Sequence, residues 1–169
     1  IGTYTKIEGF AFLPITSFMM ALTTFVSQNR GAKEYERARK GAHFGLVCSV
    51  SLAETIGLLI ALFATPLMRL FVDDPQVIQY GVERAHYATI LFFLLAYSHG
   101  VSAVLRGVGK SVVPMVVMLV CWCLVRVTLL TMLNMLFHNI LFVYLIYPFT
   151  WSLSSIVFFL YYRKINWQE

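Results

Sequence analysis

Apolar residues in this chain come in long, nearly uncharged runs that show no alternation. Residues 9–26 and 87–105 carry no charge, 44–68 carry only Glu54, 111–137 only Arg126, and 140–162 none. Each run approaches the roughly 20 residues needed to cross about 30 Å of hydrocarbon at about 1.5 Å per residue. One such run could be a buried core helix. Five, joined by short polar connections, predict membrane spans at approximately 9–28, 38–68, 76–104, 112–137 and 140–162. Backbone polar groups in hydrocarbon must be satisfied within the segment or in a closed barrel, and barrel strands would read as alternating segments of about ten residues. The predicted fold class is therefore all-α, a polytopic transmembrane helix bundle, with residues 1–169 forming one partial lobe.

Turn chemistry marks the helix ends. Gly31, after Ser27-Gln28-Asn29-Arg30, suits a left-handed C-terminal cap. Asp74 followed by Pro75 reads as an N-cap with proline at the first helical position. Gly107 and Gly109 break the chain after Leu105. Ser111 is placed to cap the fourth helix, with Pro114 in its first turn, and Asn139 to cap the fifth. The chain begins with Ile1 and carries no secretory-signal pattern, so the expectation is a fragment whose N-terminal part is missing.

Composition agrees with a lipid solvent: 59% of residues are hydrophobic and 12% charged, against about 45–50% and about 25% in soluble domains. Charge sets orientation. Arg30, Lys33, Arg37, Arg39, Lys40, Arg106, Lys110, Arg163 and Lys164 fall on one face, nine of the 13 basic residues. Lys6, Arg69 and Arg84 fall on the other. The excess of cations places the first face, and the C-terminus, in the cytoplasm. The net charge of +5 thus reflects topology and anionic lipid, and a nucleic-acid partner is not expected. Tyr161, Tyr162 and Trp167 fit an interfacial belt on that face. The glycine-rich basic turns 31–33 and 107–110 hint at related hairpins.

Charged residues inside a membrane are expensive and face a partner or a cavity. Glu54 and Arg126 lie about 21 Å and 24 Å from the inner end of their helices at about 1.5 Å per residue, so they could meet near mid-membrane. Such a pair either fixes helix packing or forms a proton or cation site in which Glu54 titrates; the packing reading is favoured. Trp122, four residues before Arg126, shares its helix face and can stack on the guanidinium. His99, beside Ser98, could relay protons or simply pack. Pro148 should kink the fifth helix, as a hinge or a static bend. Thr16, Thr23 and Ser27, with Met20, form a mildly polar stripe that lines a path or packs on a neighbour. Ala53-Gly57-Ala61 and Ala96-Gly100 read as close helix contacts. Cys48, Cys121 and Cys123 read as buried thiols. His43, His86 and His138 lie near interfaces. No metal-binding pair, phosphate loop or nucleophile elbow occurs, which speaks against an enzyme and implies no cofactor.

The stretch Thr24-Phe25-Val26-Ser27-Gln28-Asn29-Arg30-Gly31-Ala32, then Arg37-Ala38 and Gly41, resembles the helix-end motif of the multidrug and toxic compound extrusion (MATE) family. Asp74-Pro75-Gln76-Val77-Ile78 and Leu105-Arg106-Gly107-Val108-Gly109-Lys110 resemble it too, in the order of the family's C-terminal lobe. The resemblance implies twelve helices in two lobes, with this chain supplying helices 8–12 and the missing N-terminal lobe as its partner. It implies a secondary efflux antiporter in a bacterial inner membrane, exporting small organic, often cationic substrates against sodium ions or protons. Some members carry an acidic residue in their tenth helix; residues 87–104 here have none, which turns attention to Glu54. A lipid-linked saccharide flippase and a non-transporting scaffold subunit are the alternatives.

Overall fold

The computed structural model describes residues 2–137 and 140–168. The expected roles of His138 as an interface residue and Asn139 as a cap lie outside the described residues. Along the chain come α1 (Gly2–Gly31), α2 (Tyr35–Leu62), α3 (Ala64–Arg69), α4 (Pro75–Thr89), α5 (Phe92–Gly107) and α6 (Val112–Met118). A π-helical segment (Leu119–Val125) then joins α6 to α7 (Arg126–Phe137), and α8 (Ile140–Arg163) closes the order; no strand occurs among the described residues. Among the described residues, Tyr35–Leu62, Val112–Leu133 and Leu145–Arg163 are long and apolar enough to cross a membrane. The α4–α5 pair passes the same test as a single bent span. The 30 residues of α1 extend about 45 Å.

Two expected spans are interrupted. Residues 38–68 split at Phe63, because the ring of Pro66 would strike the carbonyl of Leu62 if α2 continued. In the first turn of α3, where no N–H is needed, Pro66 is tolerated. Residues 76–104 split at Ile90-Leu91, and the two halves meet at 57°. No proline or glycine stands at that bend. Thr89 instead donates its hydroxyl back to the Ala85 carbonyl at 2.7 Å, a local bond that competes with the helical ladder. Leu91 then turns in the bridge region, with φ −113° and ψ 14°.

α5 is the axle. It packs on α1, α2 and α8, while α4 packs on α2 and α3, and α7 on α8. Ala96, Val101, Ala103 and Val104 of α5 are fully buried. Small residues permit this, as expected from the spacing. Gly100 lies against Leu46 and Ser49 of α2, and Gly57 of α2 against Thr89 and Phe92 at the bend. Gly107 is the contact with least room to yield, because backbone stands in the way: a Cβ there would sit 2.8 Å from Val26 Cβ and 2.9 Å from the Thr23 carbonyl. Thr23, on the same α1 face, donates to the Ala103 carbonyl at 3.1 Å. Of the mildly polar stripe on α1, Thr23 therefore packs on a neighbour. Thr16, Ser27 and Met20 face outward instead. The outside is apolar: Leu62, Leu70 and Met20 are each more than 70% exposed, as a lipid-facing surface requires.

The turns refine the expectations. Asp74 caps α4 by accepting from the Gln76 N–H at 2.9 Å, with Pro75 at the first position. Ser111 occupies the N-cap of α6, but its side chain makes no capping bond. The left-handed residue after α1 is Lys33 (φ 62°), not Gly31. Glu34 N–H bonds the Asn29 carbonyl, and Lys33 N–H that of Arg30. Gly109 (φ 80°) repeats the pattern after α5, with Lys110 bonded to Leu105 and Gly109 to Arg106. Both turns are Schellman closures, so the two basic turns are related in geometry as well as in sequence. Arg30 donates to the Val108 carbonyl and ties one closure to the other.

Candidate functional site

α5, the π-helical segment and α8 meet in a polar seam through an otherwise apolar interior. Ser98 of α5 hydrogen bonds the hydroxyls of Ser154 and Ser155 of α8 at 3.0 and 2.9 Å. Ser155 donates on to the Leu94 carbonyl, and the Trp122 indole N–H donates to Ser154 at 3.2 Å. All three serines are buried. Burying hydroxyls costs free energy unless they are paired, and here each one finds a partner.

Trp122 links this seam to a ladder of rings and guanidiniums. On one side the His99 ring meets its edge at 5.1 Å, and His99 in turn meets Phe12 of α1 at 5.0 Å. On the other side Arg126 stacks over Trp122 at 5.1 Å and over Tyr147 of α8 at 4.7 Å. Arg84 of α4 covers Tyr147 from 5.0 Å. The Nε and one terminal nitrogen of Arg126 donate to the Thr150 hydroxyl at 3.1 and 2.6 Å. A guanidinium suits this setting because it is weakly hydrated, planar and always charged. Each desolvated cation–aromatic contact contributes about 2 kcal/mol. The His99 Nε2 and Ser102 Oγ atoms are buried without a hydrogen-bond partner.

Of the residues singled out in the sequence, the structure unites Trp122, Arg126 and His99. It does not unite Glu54 with Arg126, and the expected ion pair does not form. Glu54 Oε2 accepts from the Phe93 backbone N–H at 3.2 Å. That N–H belongs to the first turn of α5, whose donors have no intrahelical partner. Glu54 thus caps, from α2, the helix opened by the bend. Pro148 is buried within a continuous α8, beside Tyr147 and two residues from Thr150. Cys121 is buried, Cys48 partly so, but Cys123 is exposed, contrary to expectation.

Sequence reasoning missed Thr150 and Tyr147, and it read Arg84 as an outer-face charge. Arg84 is only 6% exposed. A signal existed: Gly81, Arg84, Ala85 and Ala88 recur at helical spacing, and all four are buried. Phases of that kind mark the inward face of a helix.

At the ends of the bundle the charges segregate. Arg69, Asp73 and Glu83 line a cavity of about 560 Å³ between α3 and α4. The turn after α1, the start of α2 and the segment after α8 gather at the opposite end, where Arg39 borders two clefts.

Lipid-facing helices around a buried polar seam, with charge sorted to the two ends, define a polytopic α-helical membrane protein. The family model MatE matches residues 1–133, and the chain belongs to the MatE family, whose members are transporters rather than enzymes. The chain is 30% identical over 112 residues, 66% of its length and 24% of the relative's, to the probable multidrug resistance protein NorM of Thermotoga maritima. It is 23% identical over 170 residues, covering 99% of this chain and 36% of the relative, to the probable multidrug resistance protein YoeA of Bacillus subtilis. It is also 29% identical over 79 residues, 47% of this chain and 18% of the relative, to the FAD transporter of Shewanella oneidensis. The chain spans 18–36% of the length of these relatives.

Proposed function

We propose that this chain is part of a secondary active efflux transporter. It exports small organic compounds, cationic or amphipathic ones among them, in exchange for sodium ions or protons. The membrane is the bacterial inner membrane, with the nine-cation face and the C-terminus in the cytoplasm, and the missing lobe supplies the other half of the binding site. The observation that carries this reading is the MatE match over residues 1–133, which falls on helices built for lipid. Alternating access about a site between lobes is the mechanism such a bundle supports.

The coupling residue we assign is Glu54. The bent span formed by α4 and α5 has no acidic residue in its second half, yet the Glu54 carboxylate reaches its backbone from α2. A proton or sodium ion on that carboxylate would compete with the Phe93 N–H and so act on the bend. The test is the full protein in lipid vesicles under a proton or sodium gradient. Substrate-stimulated counter-flux of one ion is expected; its absence for every organic cation offered would overturn the proposal.

A second reading, with an anionic aromatic substrate, draws on Arg84 and Arg126 stacked on Tyr147 and on the relative named as an FAD transporter. Vesicle uptake of FAD against that of an aromatic cation decides between the two.

A further inference from the structure

We propose that the cleft between the start of α2 and the end of α8 is a binding site for one anionic glycerophospholipid, phosphate outermost and acyl chain inward. The cleft measures about 640 Å³. Its lining changes character along α2. Glu36, Arg39, Lys40 and His43 come first, then Phe44 and Val47, with Tyr162 of α8 forming the opposite wall. From Arg39 to Val47 the helix rises about 12 Å, the length over which a phospholipid passes from phosphate to upper acyl chain. Phe44 and Val47 are 70% and 54% exposed, open on the side where lipid would lie.

Charge is complementary. Residues 34–40 and 163–164 hold five cations against two carboxylates. Glu36 also lines the cleft and pairs with Lys40 at 3.0 Å, which leaves Arg39 as the cation that faces a phosphate. Arg39 borders both this cleft and a second one of about 340 Å³ that contains Trp167. Its planar fork matches a phosphodiester. Tyr162 and Trp167 meet edge to face at 6.4 Å and fix the aromatic side of the site. A free phosphate would satisfy the cations but would leave the apolar wall unused, so the occupant is a lipid. Binding of this kind is independent of what the protein transports.

The test is native mass spectrometry of the full protein released from micelles doped with equal phosphatidylglycerol and phosphatidylcholine. Wild-type protein should retain one phosphatidylglycerol in preference to phosphatidylcholine. Arg39→Ala should lower that retention about fivefold, the factor expected for one interfacial cation. Val47→Asp, which leaves every cation in place, should lower it as well, and Arg69→Ala at the far end should not. All these residues are solvent- or lipid-facing, and an unchanged circular dichroism spectrum verifies folding. Equal retention of the two lipids, or unchanged retention in Arg39→Ala, overturns the proposal. So does displacement of the bound phosphatidylglycerol by inorganic phosphate, or unchanged retention in Val47→Asp, since either would mean that the phosphate alone is recognised.

Discussion

Replacing Glu54 tests how the bend between α4 and α5 is held. The carboxylate accepts from the Phe93 N–H at 3.2 Å, a charge-assisted bond at the long end of the range, so its loss costs about 1.5 kcal/mol. The same charge faces the positive end of α5, which adds about 1 kcal/mol in a half-buried setting. Glu54→Ala should therefore raise the opening of this turn by about 2–3 kcal/mol, or roughly 30- to 150-fold. Glu54→Gln keeps an acceptor and loses the charge, and should cost about half as much. Hydrogen exchange of the Phe93 amide in the reconstituted protein, corrected for intrinsic rate, reads the opening directly. If Phe93 keeps its full protection in Glu54→Ala, the cap does not hold the bend and the coupling role loses its physical basis.

Three further outcomes are expected. Gly107→Ala drives a Cβ into Val26 and the Thr23 carbonyl and should destabilise the detergent-purified protein by about 1–3 kcal/mol. Gly31→Ala, with nothing within 4 Å, should stabilise it by up to about 1 kcal/mol; equal melting temperatures for the two variants would refute the packing argument. Arg126→Lys keeps the charge but loses the planar stack and the paired bonds to Thr150. Stability should fall by about 2 kcal/mol, and substrate-driven flux should fall with it; wild-type behaviour in both assays would mean that charge alone matters. Lys33→Gly removes the strain of a left-handed lysine and should stabilise the protein by about 1 kcal/mol, measured by thermal denaturation.

Much of the fold was legible because lipid imposes simple demands. Nearly uncharged runs marked the long helices, among which Tyr35–Leu62, Val112–Leu133 and Leu145–Arg163 are apolar enough to cross a membrane, and Asp74-Pro75 announced a cap that forms as expected. The bend at Ile90-Leu91 was invisible because no proline or glycine marks it; it arises from a threonine bonding backward and from the face α2 offers through Gly57 and Glu54. The split at Phe63 was in principle readable from Pro66, whose ring excludes a carbonyl four residues earlier. At the site, Arg126 was found as a lone charge in an apolar run and Trp122 through its i, i+4 spacing to it, a relation within one helix. Thr150, Tyr147 and Arg84 reach the same ladder from other helices, and a single sequence does not encode that juxtaposition in any local pattern. The Glu54–Arg126 pairing failed for the same reason: equal depth in a membrane says nothing about which helices are neighbours.

The bond from Arg30 to the Val108 carbonyl joins two turns 78 residues apart. With Gly107 pressed against Val26 and Thr23, it rivets the tips of α1 and α5 into one plate. A plate of that kind tilts as a unit. The other end of α5 begins at the elbow near Leu91, where the chain departs from helical geometry. The helix is thus clasped at its tail and bent at its head, a lever with its handle fixed.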